Sequence, residues 1–188
     1  MGPDFSSQLD TILRKIPWIM EVLYILRNHK ADTLYLGAGS IRSSVWNHLH
    51  CLPNNTPISD VDIIYFDSSD ISREKDEKLT NELISQAPQY VWDVVNQAGV
   101  HKWYSQEFGF EITPIDSLVD GVSRWPETAT AVAIKLNDQN TLDVISPYGL
   151  EDLFSMVVRR SPKFPSKAIF EKRLREKRFK KTWPKSNY

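Results

Sequence analysis

Two aspartates set two residues apart, Asp60 and Asp62, are the residues of this chain best suited to chemistry. They begin a stretch whose β-branched and aromatic content predicts a strand over residues 61–66. Side chains at i and i+2 of a strand project from the same face, so both carboxylates would lie together. Like charges this close repel unless a proton or a divalent ion lies between them. The pair therefore predicts a Mg²⁺ site, and the alternative is an acidic pair that only caps the preceding loop.

A glycine-rich turn lies upstream of the acidic strand, at residues 37–40. It follows a predicted short strand over 33–36 and precedes a helical pattern that starts at residue 41. Backbone N–H groups of such a turn and the positive end of the following helix suit an anion. Ser40 adds a hydroxyl donor, and Arg42 adds a forked cation that matches phosphate oxygens. The sequence therefore predicts phosphate binding by Gly39, Ser40 and Arg42, although a glycine turn taken alone is usually only a turn.

The elements that must position these residues form a mixed α/β (α+β) arrangement. The loop over 53–57 is expected to bring the glycine turn and the acidic strand together. The remaining predicted elements are helices over 6–29 with Pro17 in a first turn, a helix over 72–87 with Ile71, Leu79, Leu83 and Ile84 inward, a strand over 90–95, helices over 96–104 and 116–125, and a hairpin over 131–145.

The order of turn, helix, polar loop and Asp-x-Asp strand resembles the signature of the nucleotidyltransferases related to DNA polymerase β. Between residues 39 and 62 it is most similar to the head domain of tRNA CCA-adding enzymes. Further stretches resemble a family of small bacterial nucleotidyltransferase-like proteins, and the resemblance spans roughly residues 20–165. These stretches are residues 96–98 with His101, residues 125–132 and residues 147–153.

This resemblance implies a polymerase β-like head fold, with helices packed on a mixed sheet, and a defined reaction. A nucleoside monophosphate would pass from an NTP to a hydroxyl acceptor, with two Mg²⁺ ions held by Asp60 and Asp62. The superfamily usually adds a third carboxylate from a neighbouring strand, for which Asp93 is the candidate and Asp143 the competitor. The resemblance leaves the acceptor open among small molecules, proteins and RNA.

Several other residues are candidates with equally plain structural alternatives. Arg124 and Thr130 flank a Trp-Pro turn and are candidates for nucleotide contacts, or they hold the turn that leads into the hairpin. His101 is a candidate base or phosphate contact, or it hydrogen-bonds to a backbone carbonyl. Where the CCA-adding family has Arg-Asp after its glycine turn, this chain has Arg42 followed by Ser43. A non-catalytic nucleotide-binding or regulatory module of the same fold is therefore the alternative function.

Length and charge set further limits. The 188 residues suit a nucleotidyltransferase-like domain over residues 1–165, followed by a basic helical tail over 166–188 that looks separable. The net charge of −1 gives no global attraction to nucleic acid, and no reader of DNA sequence is expected. The basic tail is either a nucleic-acid-binding segment with interleaved aromatics or, as we favour, a solvated helix whose few aromatics dock on the domain.

The cysteine content and the apolar patterning indicate the cellular setting. Cys51 is the only cysteine, which excludes a disulfide framework and a thiolate metal site. No apolar run approaches the length of a membrane span, and acidic residues stand where a signal peptide would be basic. The sequence therefore predicts a cytoplasmic protein without a membrane partner.

Overall fold

A mixed β-sheet organises the computed structural model, which describes residues 4–29, 33–55 and 60–188. Within those ranges the strand order is β3-β2-β1-β4-β5, with β2 and β3 parallel and the other neighbours antiparallel. The strands are β1 (Tyr35–Gly37), β2 (Val61–Tyr65), β3 (Trp92–Asn96), β4 (Ala133–Leu136) and β5 (Leu142–Ile145). The predicted mixed sheet and the predicted hairpin are confirmed.

The helices pack around this sheet and alternate with its strands along the chain. A 3₁₀ turn over Gln97–Gly99 leads into the helix that follows β3. The α-helices are α1 (Phe5–Leu13), α2 (Pro17–Asn28), α3 (Ala38–Leu49), α4 (Arg73–Gln86), α5 (Val100–Phe108), α6 (Leu118–Ser123), α7 (Glu151–Phe154), α8 (Lys167–Lys177) and α9 (Phe179–Thr182). None of the helices in the described ranges is long and apolar enough to cross a bilayer.

Strand β2 separates the two faces of the sheet. Val61, Ile63 and Tyr65 are buried in the main hydrophobic core, together with residues of α1 to α4. Ile64 points to the opposite face, where it packs with Val122 and two alanines in a smaller cluster. Because side chains alternate along a strand, Asp62 shares the face of Ile64 rather than that of the main core.

Helix α4 is the crossover that a parallel β2–β3 pair requires. Its buried side chains are Leu79 and Leu83, as the sequence predicts. Ile84 was also predicted to point inward, but 42% of its surface is exposed. The buried face of this 14-residue helix is therefore narrower than its apolar residues indicate.

Several element boundaries differ from the sequence prediction. Helix α3 begins at Ala38, inside the glycine turn, and not at residue 41. Helix α6 begins at Leu118, because the Ser117 hydroxyl accepts a hydrogen bond from the backbone N–H of Asp120 and caps the helix there. Residues 56 and 57 of the polar loop lie outside the described residues, so the prediction that this loop brings turn and strand together stays a prediction.

The C-terminal segment, residues 166–188, packs into the same core as the rest of the chain. Phe170, Phe179 and Trp183 are buried members of the main core cluster. The indole N–H of Trp183 donates to the side-chain oxygen of Asn47 on α3 at 2.9 Å. The segment is therefore docked through its aromatic side chains, as the favoured interpretation of the sequence predicts. The domain division at residue 165 stays a prediction.

Replacing Trp183 by alanine is expected to lower the free energy of unfolding by about 3–5 kcal/mol, the usual cost of emptying a buried aromatic site. Urea denaturation followed by circular dichroism measures this loss. The exposed Lys181→Ala change in the same segment serves as control and is expected to stay within about 0.5 kcal/mol. Equal stability of Trp183→Ala and wild type would show that the segment does not belong to the core.

Candidate active site

Three carboxylates share one face of the sheet. The parallel register of β2 and β3 places Asp62 directly beside Asp93. Asp60 lies two residues before Asp62, at the start of the strand, and is exposed. Paired residues of neighbouring strands project to the same side, so the three acids form one acidic edge. The structure thus brings together the two predicted metal ligands and the predicted third carboxylate.

The carboxylates influence one another electrostatically. Burial and, next, the charge of Asp93 raise the pKa of Asp62 to about 6, although a backbone N–H bond from Gly39 acts in the opposite direction. The pKa of Asp93 is also raised, first by burial and then by the charges of Asp60 and Asp76. Such mutual repulsion is relieved when a divalent cation lies among the oxygens.

The donor set fits a divalent cation without forming a complete cage. Across the part of the chain that the structure describes, no three acidic, histidine or cysteine side chains converge closely enough to hold an ion by themselves. Mg²⁺ is commonly held by one or two carboxylates together with substrate phosphates and water. Asp60, Asp62 and Asp93 offer oxygen donors of the type that Mg²⁺ prefers, and metal binding by them stays a prediction.

The glycine turn directly contacts the acidic strand. The backbone N–H of Gly39 donates to the Asp62 carboxylate, and the Ser40 hydroxyl lies 3.4 Å from the carbonyl oxygen of Asp60. Ala38 has a φ of 54°, a strained value for a residue with a side chain. Gly37 lies so close to the Trp125 ring that an added Cβ would come within 2.7 Å of it. The N-terminus of α3 is therefore aimed at the carboxylates by a tightly fitted backbone.

The Arg42 side chain is buried among aromatic rings. Its guanidinium carbon is 4.8 Å from the Phe179 ring centre, 5.2 Å from Trp183 and 5.4 Å from Trp46. Burial lowers the pKa of Arg42 to about 10. The side chain belongs to an aromatic cage within the core, because Phe179 and Trp183 of the C-terminal segment close over it.

Hydrogen bonding of Arg42 is also internal. Its two terminal nitrogens donate to the hydroxyls of Ser43 at 3.0 Å and Thr130 at 3.5 Å. The buried Nε has no hydrogen-bond partner among the described residues. These internal contacts favour a structural role for Arg42, and phosphate binding by it stays a prediction. The charge of Arg42 also lowers the pKa of Asp62.

A nucleotidyltransferase family model matches residues 25–187 of this chain. The chain belongs to this nucleotidyltransferase family. The match crosses residue 165 and so includes nearly all of the C-terminal segment. A search among curated proteins finds no match.

Solved structures agree with the family. The nucleotidyltransferase is similar to a protein whose NMR structure is described as revealing a CCA-adding enzyme head domain, with 30% identity and a TM-score of 0.81. That alignment covers 96% of this chain and 94% of the other. This confirms the predicted likeness to a CCA-adding head domain.

More distant structures share the fold alone. They are the Thermotoga maritima CCA-adding enzyme complexed with tRNA, with a TM-score of 0.56, and a CCA-adding enzyme complexed with CTP, with a TM-score of 0.53. Each is 16% identical to this chain. The alignments cover 97% and 96% of this chain and 42% of each of the other two, so the nucleotidyltransferase spans less than half of their length.

Two further predicted nucleotide contacts have structural partners. Arg124 donates to the carbonyl oxygen of Thr113 at 2.7 Å and pairs with Asp120 at 2.5 Å. Thr130 is buried and accepts from Arg42. These contacts support the alternative in which both residues hold the turn before the hairpin, and nucleotide binding by them stays a prediction.

Three further acidic and histidine residues have different surroundings, namely Asp143, Asp67 and His101. Asp143 lies on β5, at the opposite edge of the sheet from β3, and pairs with Lys135 at 3.5 Å. Asp67 accepts hydrogen bonds from Ser69 and caps the loop after β2. The buried Nδ1 of His101 has no hydrogen-bond partner among the described residues, and both alternatives for this residue stay predictions.

Asp76 is the residue that sequence reasoning missed. It accepts from the Tyr65 hydroxyl at 2.7 Å and from the backbone N–H of Asn96 at 3.0 Å, and its charge raises the pKa of Asp93. In the sequence it is one of many charged residues of α4, and no local pattern marks it. Its position depends on how α4 crosses between the two parallel strands.

The raised pKa of Asp62 predicts a pH effect on the metal-free protein. A carboxyl whose pKa is about 6 when folded and 3.8 when unfolded binds more protons in the folded state, so stability falls as pH rises between these values. Denaturation at a series of pH values measures this slope, and Asp62→Asn is expected to flatten it. The exposed Asp138→Asn change is the control and should retain it.

Proposed function

We propose that this nucleotidyltransferase transfers a nucleoside monophosphate from an NTP to a hydroxyl acceptor, with Mg²⁺ as cofactor. The observation that carries the proposal is the register that sets Asp62 beside Asp93, with Asp60 on the same face. The positive end of α3 points at this acidic edge through the Gly39 N–H. A carboxylate cluster beside an anion-binding helix terminus suits a metal-bound triphosphate.

Each residue has a role in this proposal. Asp60 and Asp62 would hold the metal, which supplies charge neutralisation for the triphosphate when it is bound. Gly39 and Ser40 would donate to phosphate oxygens from the start of α3. Asp93 would take the proton of the attacking hydroxyl, for which a raised pKa is favourable. The site would work mainly by positioning and by electrostatic stabilisation, as is usual in phosphoryl transfer.

A catalytically inactive nucleotide-binding module is the second candidate. Two observations favour it: Ser43 stands where the CCA-adding pattern has an acid, and the Arg42 guanidinium is enclosed in the aromatic cage. Such a module would bind an NTP without releasing pyrophosphate. The two candidates therefore differ in product formation and not in binding.

Nucleic-acid binding by the C-terminal segment has weaker support. Its aromatics Phe170, Phe179 and Trp183 are buried, so they are not presented for stacking on bases. Two of its lysines lie 3.7 Å from glutamates one helical turn away, which reduces the net positive field. A cytoplasmic, bacterial setting is part of the proposal, supported by the single cysteine and by the resemblance of the sequence to small bacterial nucleotidyltransferase-like proteins.

The test is an amide NMR titration with ATP, CTP, GTP and UTP, each with and without Mg²⁺. The wild type is expected to show metal-dependent shifts at Gly39, Ser40 and strand β2. The Asp60→Asn/Asp62→Asn variant is expected to weaken the apparent affinity for the Mg–NTP complex at least about tenfold, because it loses the metal ligands.

Asp138→Asn removes one exposed carboxylate outside the site and is the matched control, with unchanged shifts expected. A pyrophosphate-release assay on the same samples separates the active enzyme from the inactive module. No response of the turn to any of the four nucleotides would refute nucleotide binding altogether.

A further inference from the structure

A cavity of about 630 Å³ adjoins Asp93 at the free edge of the sheet. Helix α4 forms one wall, with residues spaced three or four apart that lie on one helical face. Helix α5 contributes the half-buried Trp103. The side chains that matter most are those of Arg73, Asp76, Glu77, Asp93 and Trp103.

Asp93 connects this cavity with the acidic edge of the candidate active site. Its side chain lines the cavity, and the parallel register of β2 and β3 places it beside Asp62. A molecule in the cavity would therefore reach the carboxylate that lies next to the predicted metal ligands.

The wall is fixed in place by hydrogen bonds to the core. Asp76 accepts from the hydroxyl of Tyr65, which is fully buried, and from the backbone N–H of Asn96 at the end of β3. The Arg73 guanidinium lies 5.8 Å from the Trp103 ring centre and so joins α4 to α5 across the cavity. These contacts tie the cavity shape to the sheet.

The charge of the side chains that line the cavity favours some classes of ligand over others. Apart from Asp93, the proposed proton acceptor, the lining carries two carboxylates, those of Asp76 and Glu77, and one guanidinium, that of Arg73. A nucleic-acid strand would bring phosphates against these carboxylates, which is unfavourable. A small molecule with a positive charge is attracted, and the volume lies within the range of small-molecule sites.

We propose that this cavity holds the acceptor, and that the acceptor is a small hydroxyl-bearing cation. This inference rests on the proposed function. The acceptor oxygen would form a bond to the α-phosphorus of the NTP while the bond from that phosphorus to the bridging oxygen of the β-phosphate breaks. Pyrophosphate leaves with the electron pair of the broken bond, and the hydroxyl proton passes to Asp93 and then to solvent.

The test compares tyramine with 4-hydroxyphenylacetate, which share a ring and a hydroxyl but carry opposite charges. Both are titrated into the 188-residue chain without nucleotide, and the Trp103 indole and Asn81 amide signals are followed by NMR. Tyramine is expected to bind at least about tenfold more tightly, because the cavity lining is acidic. Glu77→Gln should weaken tyramine binding about two- to fivefold.

Glu74→Gln is the matched control, since Glu74 is an exposed acid of the same helix that does not line the cavity. It should leave tyramine binding unchanged. Equal binding of both probes would overturn the inference, as would a short single-stranded RNA that shifts Trp103 while tyramine does not.

An NTP titration of the same samples keeps the two proposals apart. A normal response of Gly39 and Ser40 to Mg–NTP, without a response of Trp103 to tyramine, overturns the acceptor inference alone. The reverse result overturns the proposed function and, with it, the acceptor role of the cavity. Tyramine-dependent pyrophosphate release that Glu77→Gln reduces would support both.

Discussion

Repulsion among carboxylates on one face of the sheet is the constraint around which this structure is arranged. The parallel register fixes Asp62 beside Asp93, and burial adds to the cost of charging both. Placing these acids close together does not stabilise the fold. The strain is tolerated because the opposite face of β2 places Val61, Ile63 and Tyr65 in the main core, which holds the strand regardless of its charges.

The aromatic cage around Arg42 joins the end of the chain to the beginning of the site. Arg42 lies on α3, one turn after the Gly39 N–H that donates to Asp62. Phe179 and Trp183 hold its guanidinium, and Trp183 also bonds to Asn47 on the same helix. A buried cation without aromatic faces around it would carry a large desolvation cost. The C-terminal segment therefore stabilises the helix whose N-terminus faces the acids.

The sequence predicts features whose physical cause is local. Alternation along 61–66 is enough to place Asp60 and Asp62 on one face, and hydrophobic spacing is enough for α1 and α2. The pairing of Asp62 with Asp93 was predicted only through the family resemblance. Local sequence patterns do not give it, because the register of β2 and β3 depends on the α4 crossover. The burial of Arg42 could not be predicted, since the rings that enclose it come from the far end of the chain. The start of α3 at Ala38 was missed because an alanine with positive φ has no sequence signal.

The position of Asp93 has a consequence for how substrate choice could vary on this fold. On the proposed function, the NTP side depends on the compact stretch from Gly39 to Asp62, where the turn and the acids contact each other directly. The acceptor side depends on α4 and α5, which lie outside that stretch and line the cavity beside Asp93. Changes in the charge or size of the α4 face would therefore alter the acceptor while the triphosphate and metal contacts stay as they are. The choice of acceptor in this family would then depend on the residues of α4 and α5 that line the cavity beside Asp93. The stretch from Gly39 to Asp62, which resembles the CCA-adding head, would specify only the reaction.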